Sequence, residues 1–311
     1  MSDSVIHSIS GAAGGIIAMT ATYPLIFLST RAAVETKKED KSAYQAVLDI
    51  IKREGILGLY SGLNSSLLGI AVTNGVYYYF YERSRGIILK SRGGGKGLSA
   101  LESILTGVIA GSATTIISNP IWVVQTSQAV RTLNAPSIDS SQPKITVEKL
   151  GFLDTIQNIL ARDGLGAFWR GIGPALVLVI NPVLQYTVFE QLKNFLIARR
   201  TNKLRAAGAA TALVVLSDWD FFFLGALSKL IATSSTYPYI VMKSRLQAGQ
   251  ASALKYRSSL HGLLTILKEE GVDGLYKGVG SKLTQSVLTA AILFAGQRRI
   301  YEMSKRAMGT V

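Results

Sequence analysis

Cysteine is absent from all 311 residues. That excludes a disulfide framework, a zinc ribbon, an iron–sulfur cluster and a thiol nucleophile. Histidine occurs only at His7 and His261, too few and too far apart in sequence for a histidine metal site or a catalytic triad. Charge is scarce as well, at 17% of residues against roughly 25% in a typical soluble domain. Acid is the scarcer sign: 19 Asp+Glu against 33 Lys+Arg leave a net charge of +14. In their place stand hydrophobic residues, 48% of the chain, with a mean hydropathy of +0.30. An apolar chain with a basic excess suits either a nucleic-acid binder or a membrane protein that handles anions. Here the basic residues lie between long apolar stretches, so a membrane protein with no nucleic-acid partner is expected. Residues 1–10 carry Asp3 and no Lys or Arg, unlike a secretory signal or a transit peptide, so any membrane address is expected to be internal.

The apolar stretches run over 5–34, 63–90, 100–130, 172–198, 212–247 and 281–303. Each holds the ~20 residues needed to cross a ~30 Å hydrocarbon core. All six are diluted by Ser, Thr, Gly, Asn, Gln or Tyr, as in helices that face a watery path as well as lipid. A threefold internal repeat organises them. Each odd stretch carries a proline near its end: Tyr23-Pro24-Leu25, Asn119-Pro120-Ile121 and Tyr237-Pro238-Tyr239. Each copy then carries an acidic-Gly pair, four residues, an aromatic, a basic or small polar residue, and Gly. These are Glu54-Gly55…Tyr60-Ser61-Gly62, Asp163-Gly164…Trp169-Arg170-Gly171 and Glu270-Gly271…Tyr276-Lys277-Gly278. Between proline and acidic-Gly, 43–53, 152–162 and 257–268 have apolar residues at helical spacing and are expected to lie in the membrane interface. The expected fold is therefore an all-α membrane protein of six transmembrane helices, in three pseudo-threefold repeats with short interfacial helices. The repeats are placed at 1–92, 98–198 and 212–306, forming one integral-membrane domain. The prolines are expected to kink the odd helices and draw their ends together. The small residues at 11–15 and Gly107…Gly111 are expected to allow close helix packing.

The tripled block resembles the signature of the mitochondrial carrier family: Pro-x-acidic-x-x-basic, then acidic-Gly-x4-aromatic-basic-Gly. The resemblance covers essentially the whole chain. Its second half is strong in all three copies, with Ser61 in place of the usual base in the first. Its first half is degenerate. Ile26, Trp122 and Ile240 occupy the acidic position, and Ser29, Gln125 and Lys243 the basic one. The resemblance implies a lumen-side gate here, with Pro24, Pro120, Pro238, Gln125 and Lys243 as its residues. Without acids that gate is expected to close by packing and neutral hydrogen bonds. Segments such as Asn119-Pro120-Ile121-Trp122-Val123-Val124 and Asn181-Pro182-Val183-Leu184-Gln185-Tyr186 are similar to a peroxisomal branch that carries ATP, AMP, CoA, FAD or NAD. The resemblance also implies a cytosolic gate of aromatic-acidic-x-x-basic motifs on even helices. Tyr81-Glu82…Arg85 and Phe189-Glu190…Lys193 match; the third copy has Arg298 where the acid belongs, so three ion pairs cannot form a ring there. These residues also suit solvated helix ends.

Unpaired charge in mid-membrane is costly and so usually functional. Lys229 lies nine residues before Pro238, about 13 Å along a helix at 1.5 Å per residue. Gly15 and Gly111 hold the equivalent places, so one lysine breaks the threefold symmetry and would hold a phosphate as a point charge. The alternative is a lysine whose head reaches the interface. Lys282 and Gln285 share a face of the sixth stretch, and the matching places on the second and fourth are small or apolar. Asn74, Asn181 and Gln185 are candidate hydrogen-bond partners for adenine; Asn181 equally suits a backbone group freed by Pro182. The aromatic run at 77–81 would stack a purine or simply pack at the membrane interface.

Arg92-Gly93-Gly94-Gly95-Lys96-Gly97 lacks the Ser/Thr and preceding strand of a phosphate loop and is expected to be a connecting loop. The basic cluster from Lys193 to Arg205 suits either recognition by the peroxisomal membrane-protein import machinery or attraction to lipid headgroups. No constellation of acid, base or metal ligands appears, so an enzyme is not expected, nor a cofactor. The expected protein is an antiporter that exchanges adenine nucleotides or CoA-type anions across the peroxisomal membrane. The mitochondrial inner membrane is the alternative location. A non-transporting scaffold on the same fold is the alternative of another class, though it would not need Lys229, Lys282 and Gln285.

Overall fold

The computed structural model describes residues 3–35, 43–91, 97–130, 150–206, 216–249 and 253–292. Long helices account for the apolar stretches: α1 (Asp3–Val34), α3 (Leu63–Ser91), α4 (Ala100–Val130), α7 (Asn181–Ala206), α8 (Asp218–Gln247) and α10 (279–292). Among the described residues, four spans are long and apolar enough to cross a membrane: Gly14–Val34, Ile56–Ser91, Ala100–Val130 and Leu165–Ala206. Pro24, Pro120 and Pro238 each sit inside a continuous helix, α1, α4 and α8 respectively. The interfacial helices form where helical spacing placed them: α2 (Ala43–Glu54), α5 (Phe152–Asp163) and α9 (Ser259–Leu275). The short α6 (Ile172–Val177) precedes α7. Each interfacial helix buries at least one isoleucine, Ile50 in α2, Ile159 in α5 and Ile266 in α9, while Leu153, Leu160, Leu260 and Leu264 stay exposed. Ile159 of α5 joins Val123, Val124 and Phe168 in one cluster, and Ile266 of α9 is fully buried.

Two boundaries differ from the sequence expectation. The fifth span starts at Asp218 rather than 212, because Ser217 and Asp220 cap each other's backbone N–H groups at 3.2 and 2.8 Å. Residues 207–215 lie outside the described part. The fourth span runs past 198 to Ala206, held in part by Arg200, whose guanidinium donates to both Asp220 carboxylate oxygens.

The described chain forms two compact units whose borders do not follow the repeats. The first unit draws on Met1–Thr22, Ile180–Thr236 and Leu283–Val311. The second draws on Tyr23–Val179 and Tyr237–Lys282. In the second unit the acidic-Gly-x4-aromatic-basic-Gly block adopts one backbone shape three times. Its first glycine is Gly55 (φ 73°, ψ 175°), Gly164 (φ 76°, ψ 179°) or Gly271 (φ 73°, ψ −167°), a region essentially closed to other residues. Its second glycine, Gly62, Gly171 or Gly278, also has positive φ (85°, 73° and 80°).

These second glycines join the repeats into a ring. A Cβ on Gly62 would lie 3.3 Å from the Gln125 carbonyl oxygen, one on Gly171 would lie 3.0 Å from that of Lys243, and one on Gly278 would lie 2.7 Å from that of Ser29. The first repeat thus abuts the second, the second the third, and the third the first. The residue before each proline fastens the block to its own odd helix. Tyr23 Oη donates to Ser61 O (2.9 Å), Asn119 Nδ2 to Arg170 O (3.1 Å) and Tyr237 Oη to Lys277 O (3.0 Å). Tyr23 and Tyr237 also stack on Tyr60 and Tyr276. Gly278→Ala, with positive φ and no room against backbone, is expected to cost at least about 2 kcal/mol. Gly280→Ala, where nothing lies within 4 Å, should change stability by under about 1 kcal/mol. Thermal unfolding of both variants in detergent checks the contrast.

Candidate functional site

The ring gathers the six positions where the first half of the signature is degenerate. Ser29 Oγ donates to Ile26 O at 2.9 Å. Gln125 is 5% exposed; its Oε1 accepts from Thr126 Oγ1 at 3.4 Å, and among the described residues its Nε2 has no hydrogen-bond partner. The Lys243 ammonium lies 6.0 Å from the centre of the Trp122 ring, and no described carboxylate is within ion-pair reach of it. Trp122 is also held by α3: Nε1 donates to Thr73 Oγ1 at 3.2 Å, and the ring packs on Gly69.

Sequence reading assigned no role to the charges of the second half of the signature, and the structure pairs them. Asp163 accepts from Arg170 and from Arg162, both at 2.9 Å. Glu270 pairs with Lys277 at 3.0 Å and takes a bidentate bond from the Arg245 guanidinium. Arg245 is 1% exposed, and its Nε donates to Ala33 O at 3.0 Å. In both copies the acid meets the base seven residues on, the one that precedes the second glycine. The second repeat has Ser127 where the third has Arg245, seven residues past the proline, and Arg162 supplies the additional partner for Asp163. Hydrogen bonds from Arg162 and Arg170 hold the Asp163 carboxyl below the usual aspartate range against the opposing effect of burial. Burial pushes Glu270 up, but Arg245 and Lys277 outweigh it and leave the carboxyl below the usual glutamate range.

A cavity of about 340 Å³ lies wholly within the first unit. That is inside the roughly 300–1,000 Å³ range of small-molecule sites. Gln185 of α7, Lys229 of α8 and Ser286 of α10 supply its polar groups, and Phe221, Phe222, Leu230 and Val287 much of its apolar wall. Lys229 makes no hydrogen bond or ion pair with a described residue. Its equivalent Gly111, in the second unit, is filled: a Cβ there would meet Val179 Cγ1 at 2.6 Å. Asn181 does not line the cavity. Its Nδ2 donates to Thr236 Oγ1 (2.6 Å) and Ala232 O (3.2 Å), binding α7 to α8 one turn from Gln185 and Lys229. Gln285 Nε2 donates to Thr289 Oγ1 (2.9 Å), which in turn meets Thr22 Oγ1 at 3.1 Å. Lys282 is half-buried on α10, and Asn74 is exposed on α3; both belong to the second unit.

The aromatic-acidic-x-x-basic motifs pair within their own helices. Glu82 meets Arg85 at 3.2 Å and Glu190 meets Lys193 at 2.6 Å. Arg298 lies outside the described residues. Sequence reading also passed over Tyr23, Asn119 and Tyr237 as anchors, although a side chain able to donate a hydrogen bond before each proline was the available signal.

Three helical repeats joined head to tail, long apolar helices and a cavity whose lysine meets no partner among the described residues fit a membrane-embedded carrier. The chain belongs to the mitochondrial carrier family: residues 2–92, 96–200 and 215–310 each match the pattern described as Mitochondrial carrier protein. It is 36% identical to the peroxisomal nicotinamide adenine dinucleotide carrier of Arabidopsis thaliana, over 98% of this chain and 97% of that one. It is 32% identical to peroxisomal membrane protein PMP47B of Candida boidinii, over 94% and 84% respectively. It is 29% identical to peroxisomal adenine nucleotide transporter 1 of Saccharomyces cerevisiae, over 96% and 92%.

Removing one partner of a buried pair leaves an uncompensated charge. Glu270→Gln strands Arg245 and is expected to cost about 3 kcal/mol or more. Asp163→Asn, whose partners Arg162 and Arg170 are 65% and 18% exposed, should cost less, about 1–2 kcal/mol. Because both folded carboxyls titrate below their unfolded values, their stabilisation is complete at neutral pH. It is lost as pH falls below the ordinary carboxylate range and through the lowered values. Detergent unfolding midpoints between neutral and acidic pH should fall for the native chain and flatten in Glu270→Gln.

Proposed function

We propose that this carrier is an alternating-access exchanger of adenine nucleotides of the ATP/AMP type across the peroxisomal membrane. The observation that supports this most is the cavity holding Lys229. The ammonium suits a phosphate, the Phe221–Phe222 wall suits a flat base, and Gln185 and Ser286 supply hydrogen bonds to orient it. Asn181 would serve by holding α7 to α8, while Lys282, Gln285 and Asn74 would meet the substrate in other states of the cycle. The names of the yeast, plant and Candida relatives support the peroxisomal location. The glycine-closed ring, with Gln125, Lys243 and the three prolines, would be the lumen-side gate. Glu82, Arg85, Glu190, Lys193 and Arg298 would serve the cytosolic one.

A second reading is NAD exchange. It is favoured by the cavity lining, in which Lys229 is the one charged residue. A single cation balances a singly charged dinucleotide better than ATP. CoA and FAD share the same adenine-and-phosphate chemistry.

Purified protein in liposomes preloaded with ATP should take up labelled ATP, AMP or NAD in exchange, and competition among the three with CoA ranks them. Lys229→Ala should lower uptake about ten- to a hundredfold, as expected for loss of a charge-assisted contact. Near-native uptake by that variant would remove Lys229 from the site. No exchange of any nucleotide by the native chain would leave the scaffold reading.

A further inference from the structure

Transport, as proposed above, requires the ring of the second unit to part once per cycle, and this inference rests on that reading. Three neutral backbone contacts at Gly62, Gly171 and Gly278 close the ring. Among its six degenerate signature positions one carries a charge, Lys243, and its described neighbour is an aromatic face. We infer that Trp122 is a gate residue: its ring acts as the counter-charge for Lys243 and holds the second and third repeats together when the ring is shut.

The geometry supports the role in three ways. The indole is not free to turn away, because Nε1 donates to Thr73 Oγ1 and the ring lies against Gly69, where an added Cβ would come within 3.3 Å of it. The ring thus stays with α3 and α4 while its face meets α8. The ammonium sits at 6.0 Å from the ring centre, at the outer limit of an effective cation–π contact, so the attraction is real yet easily given up. Finally, the carbonyl of the same Lys243 abuts Gly171, so separating side chain and ring coincides with opening the seam between these two repeats. An ion pair at this place would hold more tightly than an aromatic face does. Trp122 is therefore a positioning residue that sets how often the ring opens, without touching the cargo.

The absence of cysteine makes this directly measurable. Thr126→Cys places a single thiol at the seam between the second and third repeats, where Thr126 meets Gln247, at a site 3% exposed. Its rate of reaction with a water-soluble maleimide, in detergent and without substrate, reports ring opening. In that background Trp122→Leu should label roughly three- to tenfold faster, the loss expected for one cation–π contact. Trp122→Asp, which offers Lys243 a carboxylate, should label more slowly than the parent. Trp122→Phe should stay within about threefold of the parent, keeping the test open if the leucine variant does not fold. A purely packing role predicts faster labelling in both Leu and Asp variants, because each leaves a hole beside Gly69. Equal acceleration by Leu and Asp, or a Phe variant that labels as fast as Leu, overturns the proposal. Failure of the transport reading appears separately, as a native chain that exchanges no nucleotide in liposomes while the labelling order is unchanged.

Discussion

Backbone carbonyls at the ends of three odd helices sit so close to three glycines that no side chain fits between them. Most of the second unit can be understood from that approach. For Gly62, Gly171 and Gly278 to reach Gln125, Lys243 and Ser29, the preceding turn must reverse sharply, and it does so through each block's first glycine, Gly55, Gly164 or Gly271, in a region other residues avoid. The aromatic and the base between those glycines are then fixed in direction. The carbonyl of the residue before each second glycine is presented to the side chain that precedes the proline of its own repeat. The acid at the start of the block finds the base at its end. A spacing that looks arbitrary in one dimension is the length of one such reversal.

Threefold backbone contacts carry a distinctly unequal set of side chains. Glu270 engages a buried arginine and a lysine, whereas Asp163 engages two arginines of its own hairpin, one of them well exposed. At the positions two and five past the prolines, one lysine and one tryptophan stand among isoleucines, serine and glutamine. In the first unit one lysine faces a cavity, while its counterpart Gly111 in the second is closed off by Val179. Symmetry is kept where the backbone needs it and dropped where side chains act.

That division also explains what could be read from residues alone. The six spans, the interfacial helices and the tripled block were legible because hydrophobic runs, helical spacing and obligatory glycines are local properties. Lys229 stood out for the same reason: a charge within an apolar run is visible without a fold. The start of α8 was misjudged because 212–216 is apolar, although Ser217 and Asp220 carried the capping signal. The partners of Trp122 and Asn181 lie 49 and 55 residues away, and no pattern along the chain announces such contacts. Asn181 shows the limit most clearly: a polar residue beside a proline reads equally as a ligand contact or a brace, and only its distances to Thr236 and Ala232 show which bonds it makes.

The three joints of the ring are not of equal strength. Where the third repeat meets the first, charged donors reach over the glycine contact to backbone oxygens: Arg245 Nε to Ala33 and Lys277 Nζ to Glu35, at 3.0 and 2.8 Å. Where the first meets the second, a neutral hydroxyl, Ser61 Oγ to Gln128 O at 3.2 Å, does the corresponding work. Where the second meets the third, amide and hydroxyl bonds of Gln247 to Asn119 and Thr126 accompany the cation on its aromatic face. Charge-assisted bonds are roughly twice as strong as neutral ones, so pulling on all three joints equally would not part them together. A fold built by triplication thus has a hinge side and an opening side, decided by where two cations happen to reach a helix end.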